Sequence, residues 1–144
     1  PVVKCSNFIG DALDACAAAQ IPGVLLVGHM GKLVKLAGGV MNTHSRTADC
    51  RAELFCTHAA LCGAGREVCR ALMDCPTSDA CIAVLDGAGL RRAVLGSLLS
   101  AIQDHLDRRA SGTFSMGAVV FSNQYGLLGQ TSQAKELMDR WSTL

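Results

Sequence analysis

The chain has 144 residues, half of them hydrophobic and 17% charged, with a net charge of +1. That is enough apolar residue for one buried core, and too balanced a charge for a general nucleic-acid binder or a disordered tail. No apolar run approaches the roughly 20 residues that a membrane span needs, and the most apolar stretch, residues 93–102, is broken by Gly96 and two serines.

Taken in chain order, residues 1–5 (PVVKC) read as a short strand, and with no leading Met the sequence reads as a piece of a longer protein. Ser6 and Asn7 are placed to cap a helix over residues 8–20, whose early Asp11 and Asp14 suit the positive end of a helix dipole. Ile21-Pro22-Gly23 breaks that helix. The leucine- and valine-rich run that follows, near residues 23–28, reads as a second strand buried on both faces. Strand, helix and strand make a βαβ unit, which implies a parallel pair.

A short helix is expected over residues 31–37, with Lys32 and Lys35 three apart on its surface, ended by Gly38-Gly39. Further helices are expected at 48–62, 66–73, 78–86 and 90–110. The last carries Leu95, Leu98, Leu99, Ile102 and Leu106 at helical spacing. A third strand is expected near 115–122, then a turn-rich loop over 123–129 and a final helix over 132–141. The expected fold is a small, three-layer, Rossmann-like α/β domain with a short parallel sheet and a helical insertion between its second and third strands.

Eight cysteines are present, yet none forms a CxxC pair, and spacings of 6, 6, 7, 6 and 6 from Cys50 to Cys81 share no helix face. They read as small buried hydrophobes in a reducing compartment, and so as a cytoplasmic protein. His44, Asp49 and His58 follow no metal-ligand spacing, so no protein-bound metal is expected. His58 and His105 read as structural.

The chemistry concentrates just past the second strand. Ligands of open α/β sheets bind at the carboxyl ends of strands, and there the sequence reads GHMGKLVKLAGGVMNTHSRTADCRAE. Gly28 and Gly31 free the backbone around His29, and Lys32 with Lys35 suits carboxylates or phosphates, unless both lysines simply face solvent. His44 and Asp49 are candidate bases or hydrogen-bond partners, with Arg51 and Glu53 close behind. The first loop, Ser6-Asn7-Phe8-Ile9-Gly10-Asp11, ends at a helix start, where backbone N–H groups can meet a polar ligand edge and Gly10 would allow close approach. Taken alone it reads rather as an ordinary cap. Asn123, Gln124 and Tyr125 could line the same crevice or form a surface turn.

These residues together resemble the CbiD family, the cobalt-precorrin-5B C1-methyltransferases of anaerobic cobalamin biosynthesis. The resemblance rests on Asn7-Phe8-Ile9-Gly10, on the run from Leu25 to Gly39, and on Asn42-Thr43-His44-Ser45, Ala48-Asp49, Arg51 and Glu53. It is dense over residues 5–53 and weaker beyond. Cys50 departs from it, standing where a small residue such as Gly is expected.

Family members are longer, so the resemblance implies a single domain, 1–144, forming the C-terminal part of a two-domain protein whose N-terminal domain is a partner. It implies S-adenosylmethionine as methyl donor and a cobalt corrinoid as substrate, with no nucleic acid or membrane partner; homo-oligomerisation stays open. The donor would lie along Ser6, Asn7, Phe8, Gly10 and Gly28. Lys32, Lys35, Asn42, Thr43 and Arg51 would hold the carboxylate-rich substrate, and His29, His44 and Asp49 would be the catalytic candidates. The competing readings are a noncatalytic corrinoid-binding or interdomain module, and a metal-dependent hydrolase using His29, His44 and Asp49.

Overall fold

A computed structural model describes residues 1–144. The apolar run at 24–27 forms the core of strand β1 (Gly23–His29), which pairs in parallel with β2 (Ser115–Ser122), from Gly23 opposite Ser115 to His29 opposite Phe121. A third strand, β3 (Gly126–Gln130), pairs antiparallel with β2, so the sheet order is β1-β2-β3 and the sheet is mixed.

Helix α1 (Ile9–Ala18) precedes β1 and α7 (Ser132–Ser142) follows β3. Between β1 and β2 run α2 (Met30–Leu33), a 3-10 turn (Val34–Gly38), α3 (Arg51–Leu61), α4 (Arg66–Met73), α5 (Ser78–Gly87) and α6 (Arg91–Ala110). The helical insertion is thus present, and no helix is long and apolar enough to cross a membrane.

Four expectations are corrected. The sheet is not purely parallel, because β3 returns antiparallel beside β2, and β1 is not buried on both faces, because it lies at the sheet edge with Val27 63% exposed. Residues 1–5 form no strand: they gain no ladder partner, Val2 and Val3 stay exposed, and the outer edge of β1 is unpaired. A strand is stable only when its N–H and C=O groups find a neighbour, and here the parallel partner of β1 comes from β2 alone. The expected loop over 123–129 holds β3 instead. The chain reverses just after Ser122, helped by Gly126 at φ +70°, a conformation that favours glycine.

Strand alternation divides the sheet between two helices. Met116, Ala118, Val120 and Ser122 of β2 are buried on the side of α6. There the expected Leu95, Leu98, Ile102 and Leu106 are buried with Val94, Phe55, Leu72, Ile82 and Leu85, and Leu99 packs beside them. On the opposite side Gly23 and Gly117 face α7: a Cβ at Gly117 would lie 2.6 Å from the Cα of Ala134, and one at Gly23 would lie 2.9 Å from Leu137. The missing side chains let the helix sit directly on the strands.

Helix α1 is held to α6 by a two-pronged ion pair, Arg109 donating from Nε and Nη2 to the Asp14 carboxylate at 2.9 and 2.8 Å. That guanidinium holds the Asp14 carboxyl below its usual range.

His58 of α3 lies with Nδ1 2.7 Å from the Ser97 hydroxyl of α6, and burial pushes its pKa below 6.5. A base with a depressed folded pKa is disfavoured in its charged form, so the unfolded chain takes up the proton first as pH falls. Stability should therefore be unaffected above about pH 7 and decline as pH drops below about 6.5. Thermal melts across that range should show the decline in the wild type and a flatter profile in His58→Gln. An identical slope in the variant would assign the effect to other groups.

Candidate functional site

The two polar stretches separated by the first strand are laced together. Asn7 accepts twice from Thr43, its Oδ1 from the threonine hydroxyl at 3.2 Å and its carbonyl from the threonine N–H at 3.0 Å. Gly10 N–H donates to the Met41 carbonyl at 3.1 Å, and Phe8 bridges to Asn42. Lys35, only 2% exposed, then donates from Nζ to the Thr43 carbonyl at 3.0 Å.

These bonds correct the reading of the first loop as a side-chain cap. Helix α1 has no side-chain cap, because the Asn7 amide is turned to Thr43. Gly10 is glycine for packing, since a Cβ there would lie 2.8 Å from Arg109 Nη2 and 2.9 Å from Met41 Cβ. Phe8 is left exposed beside this network.

A second cluster lies at the carboxyl end of the parallel pair. His29 closes β1 with its ring edge-on to Phe121, centroids 5.9 Å apart. Its Nδ1 accepts the Gly31 N–H at 3.0 Å and so caps α2. A neutral imidazole whose Nδ1 accepts carries its proton on Nε2, which makes that nitrogen the donor available to a ligand. Around Gly31 three polar groups converge: a Cβ there would stand 3.3 Å from His29 Nδ1, 3.4 Å from Ser78 Oγ and 3.8 Å from Arg51 Nη1. Arg51 and Ser78 open α3 and α5, so two helix starts border the same region, that of α5 capped by Thr77 Oγ1 accepting from the Ala80 N–H at 3.1 Å.

Arg51 is held in place by Asp49, donating from Nε at 2.9 Å and Nη2 at 3.3 Å, which leaves Nη1 toward Gly31. The Arg51 hydrogen bonds hold the Asp49 carboxyl below its usual range, assisted by the charges of Arg51 and Lys35 and opposed by burial. With both oxygens engaged by the Arg51 guanidinium, this carboxylate is placed to position Arg51.

Between the starts of α3 and α5 lies a cavity of about 160 Å³, walled by Asp49, Arg51, Glu53, Cys75, Thr77 and Cys81 among others. All eight cysteines are free. Burial, reinforced by neighbouring Cys75, pushes the Cys81 thiol up to about 12, which leaves it protonated and unreactive.

The expected site residues therefore fall into two groups. His29, Gly28, Asp49 and Arg51 belong to the strand-end cluster or its border, with Lys32 exposed on α2. Asn7, Phe8, Gly10, Asn42, Thr43 and Lys35 belong to the laced loops. The two lysines are thus separated, one in solvent and one inside. Ser6 is exposed at φ +51°.

His44 sits in an exposed turn: its N–H donates to Asn42 Oδ1 at 3.1 Å and its Nδ1 accepts from Arg46 N–H at 3.0 Å. No hydrogen bond joins His44 to His29. No group of three or more His, Cys, Asp or Glu side chains is arranged to hold a metal ion.

Sequence reasoning missed Ser78, Asp79 and Ser122. Ser122 donates to Asp79 at 2.6 Å and accepts the Gln124 and Tyr125 N–H groups, each at 3.1 Å, tying the β2–β3 turn to the start of α5. The triplet Thr77-Ser78-Asp79 after Pro76 carried the available signal, that of a capped helix start. Tyr125 lies under the Arg91 guanidinium, 4.9 Å from the ring centre.

Comparison with known proteins adds an independent line. The family described as CbiD, C-terminal domain, matches residues 42–132. Cobalt-precorrin-5B C(1)-methyltransferase of Ruminiclostridium cellulolyticum is 45% identical over 138 residues, covering 96% of this chain and 34% of the relative. The proteins of the same name from Alkaliphilus metalliredigens and Moorella thermoacetica are 32% and 34% identical, with 36% and 38% of their lengths covered. The chain thus spans little more than a third of these curated relatives. No solved structure matches it.

Proposed function

The chain belongs to the CbiD family, and from that premise we propose that it is the C-terminal part of a cytoplasmic, S-adenosylmethionine-dependent enzyme that methylates C1 of cobalt-precorrin-5B in cobalamin biosynthesis. The observation that carries this reading is the convergence of His29, Ser78 and Arg51 over Gly31 at the carboxyl end of a parallel strand pair. That end of the sheet is where Rossmann-like folds keep their ligands.

Size decides what the cavity beside this cluster, which shares only Arg51 with it, can take. Ligand pockets for drug-sized molecules run to about 300–1,000 Å³, so a macrocycle cannot enter a cavity of about 160 Å³. One carboxylate arm of a corrinoid can. On this reading Arg51 Nη1, His29 Nε2–H and the exposed Lys32 bind acetate or propionate groups at the rim, and Asp49 positions Arg51. The reacting ring then lies outside, against whatever faces the domain. The chemistry of methyl transfer needs the sulfonium held in line with the ring carbon, and fixing the arms of the macrocycle contributes to that alignment. Adenosylmethionine would run along Ser6, Asn7 and Phe8, whose exposed ring offers an apolar face for an adenine.

A second reading has an observation of its own. The Asn7 side chain and the Gly10 N–H are already committed to Thr43 and Met41. That favours a corrinoid-binding module whose methyl donor binds elsewhere in the longer protein. Calorimetry with S-adenosylhomocysteine separates the two: heat of binding to this chain that vanishes in Phe8→Ala supports the first, and no heat at saturating ligand supports the second.

In the full-length enzyme, Arg51→Gln should raise KM for the corrinoid about 10- to 100-fold, the loss of one charged hydrogen bond of about 1.5–3 kcal/mol. KM for the methyl donor should stay within about twofold. Equal losses for both ligands, with the fold intact, would defeat the assignment of Arg51 to the substrate.

A further inference from the structure

The sheet has a face that this chain leaves bare. Residues 25, 27 and 29 of β1 and 117, 119 and 121 of β2 point to the α7 side, as the contact of Gly117 with Ala134 shows. Helix α7 crosses only the early part of that face, over Gly23 and Gly117. Beyond it lie Val27 beside Val119 and, one step on, His29 beside Phe121, which in turn pairs with Leu127 of β3. Val27 is 63% exposed and Leu127 is 67% exposed.

The ladder irregularity next to Phe121 explains the second of these. It leaves Leu128 unpaired in β3, so Leu128 and Gly129 both turn toward α6 while Leu127 shares the face of Phe121.

The same region includes an open strand edge. The outer side of β1 has no partner, and its sequence, Gly-Val-Leu-Leu-Val-Gly-His, carries no Lys, Glu or Pro. Proteins that leave an edge strand in water blunt it with charge, proline or a bulge, because a flat apolar edge recruits other chains. None of those devices is present, so the sequence of β1 suits an edge and a face that are covered.

We propose that the surface formed by Val27, Val119, Phe121 and Leu127, with the free edge of β1, is the docking face for the remaining polypeptide of the full-length protein. The inference rests on the reading of this chain as part of a longer enzyme. The curated relatives are nearly three times as long as the matched segment, so on that reading a body of about twice this domain's length is tethered to it. Covalent linkage gives that body an effective concentration on the order of millimolar, which outcompetes a second copy at ordinary protein concentrations. The face also borders His29, so the docked body would form the opposite wall of the strand-end cluster.

Hydroxyl-radical footprinting of the native full-length protein tests this, with Leu61 as the internal standard because it is 73% exposed on α3, remote from the sheet. Leu127 should be oxidised at least about tenfold more slowly than Leu61, a ratio corresponding to about 1.4 kcal/mol of protection. Rates within about twofold of each other overturn the inference. So does protection that fades on roughly hundredfold dilution, the behaviour of a second copy and not of a tethered body. The intact mass of the same sample separates the two levels: a native protein of 15.0 kDa defeats the longer-enzyme reading itself, whereas a mass near three times that value with Leu127 fully labelled defeats only the docking face.

Discussion

Gly117→Ala should destabilise the domain by about 3 kcal/mol or more, at the upper end of what overpacking costs. The added methyl would lie 2.6 Å from the Cα and 2.7 Å from the N of Ala134, both backbone atoms, so no side-chain rotation relieves the clash. Helix α7 would have to lift from the sheet. Lifting it strains two further bonds at its start, Thr131 N–H to the Ala118 carbonyl and Ala118 N–H to Thr131 Oγ1, both 2.9 Å. Gly96→Ala is the control of opposite sign: it lies inside α6 with nothing within 4 Å of the new carbon, and should stabilise by about 0.5–1 kcal/mol. Urea unfolding of the two variants checks the pair. Equal midpoints would mean that α7 does not pack as described.

The largest effect on activity is expected from Gly31→Val. A Cβ at this position would already press on His29 Nδ1 at 3.3 Å and touch Ser78 Oγ and Arg51 Nη1 at 3.4 and 3.8 Å, so the γ-carbons of a valine find no free space among them. A valine there pushes on all three together and fills the corner toward which Arg51 Nη1 points. Displacing catalytic or binding groups by about 1 Å costs on the order of 100-fold in rate, so on the proposed function kcat/KM of the full-length protein should fall at least that far. Gly31→Ala, whose carbon meets its neighbours at 3.3 and 3.4 Å, should show a smaller loss that grows when combined with Arg51→Gln less than additively, because both act on one group. Activity within about threefold of wild type in Gly31→Val would remove this corner from the site.

The helices were readable because their signals are local. Apolar spacing in 90–110, the Pro76 break and the glycines after α3 each act within a few residues, and α4 and α6 fall where those signals put them. The strands were less so. Whether residues 1–5 or 126–130 pair depends on which edge of β2 or β1 is open, a property of the whole sheet. The valines of the first segment invited a strand without supplying a partner, while the Gly-rich look of Gly126-Leu127-Leu128-Gly129 concealed one.

The candidate cluster was half legible for the same reason. His29, Arg51 and Asp49 lie close in sequence to the end of β1, so position alone pointed to them. Ser78 and Ser122 reach the same place through the packing of α5 and the return of β2, distances along the chain that no local pattern reports. Lys35 shows the converse: spacing paired it with Lys32, but the turn tightens to a 3-10 helix and carries Lys35 inward to the Thr43 carbonyl.

The parallel register of β1 with β2 joins Gly23 to Ser115 and Val27 to Val119, and this governs the order in which the chain can acquire structure. A strand that must wait for a partner about ninety residues downstream pays its loop-closure entropy before gaining any ladder bond. During synthesis from the N-terminus, helices α3 to α6 can therefore collapse on one another first, through neighbouring turns, while β1 hangs unpaired. The apolar edge of β1 is most vulnerable to misassociation in that interval. Ribosome-bound chains halted before residue 115 should accordingly bind chaperone through residues 23–29, and release it once β2 has emerged.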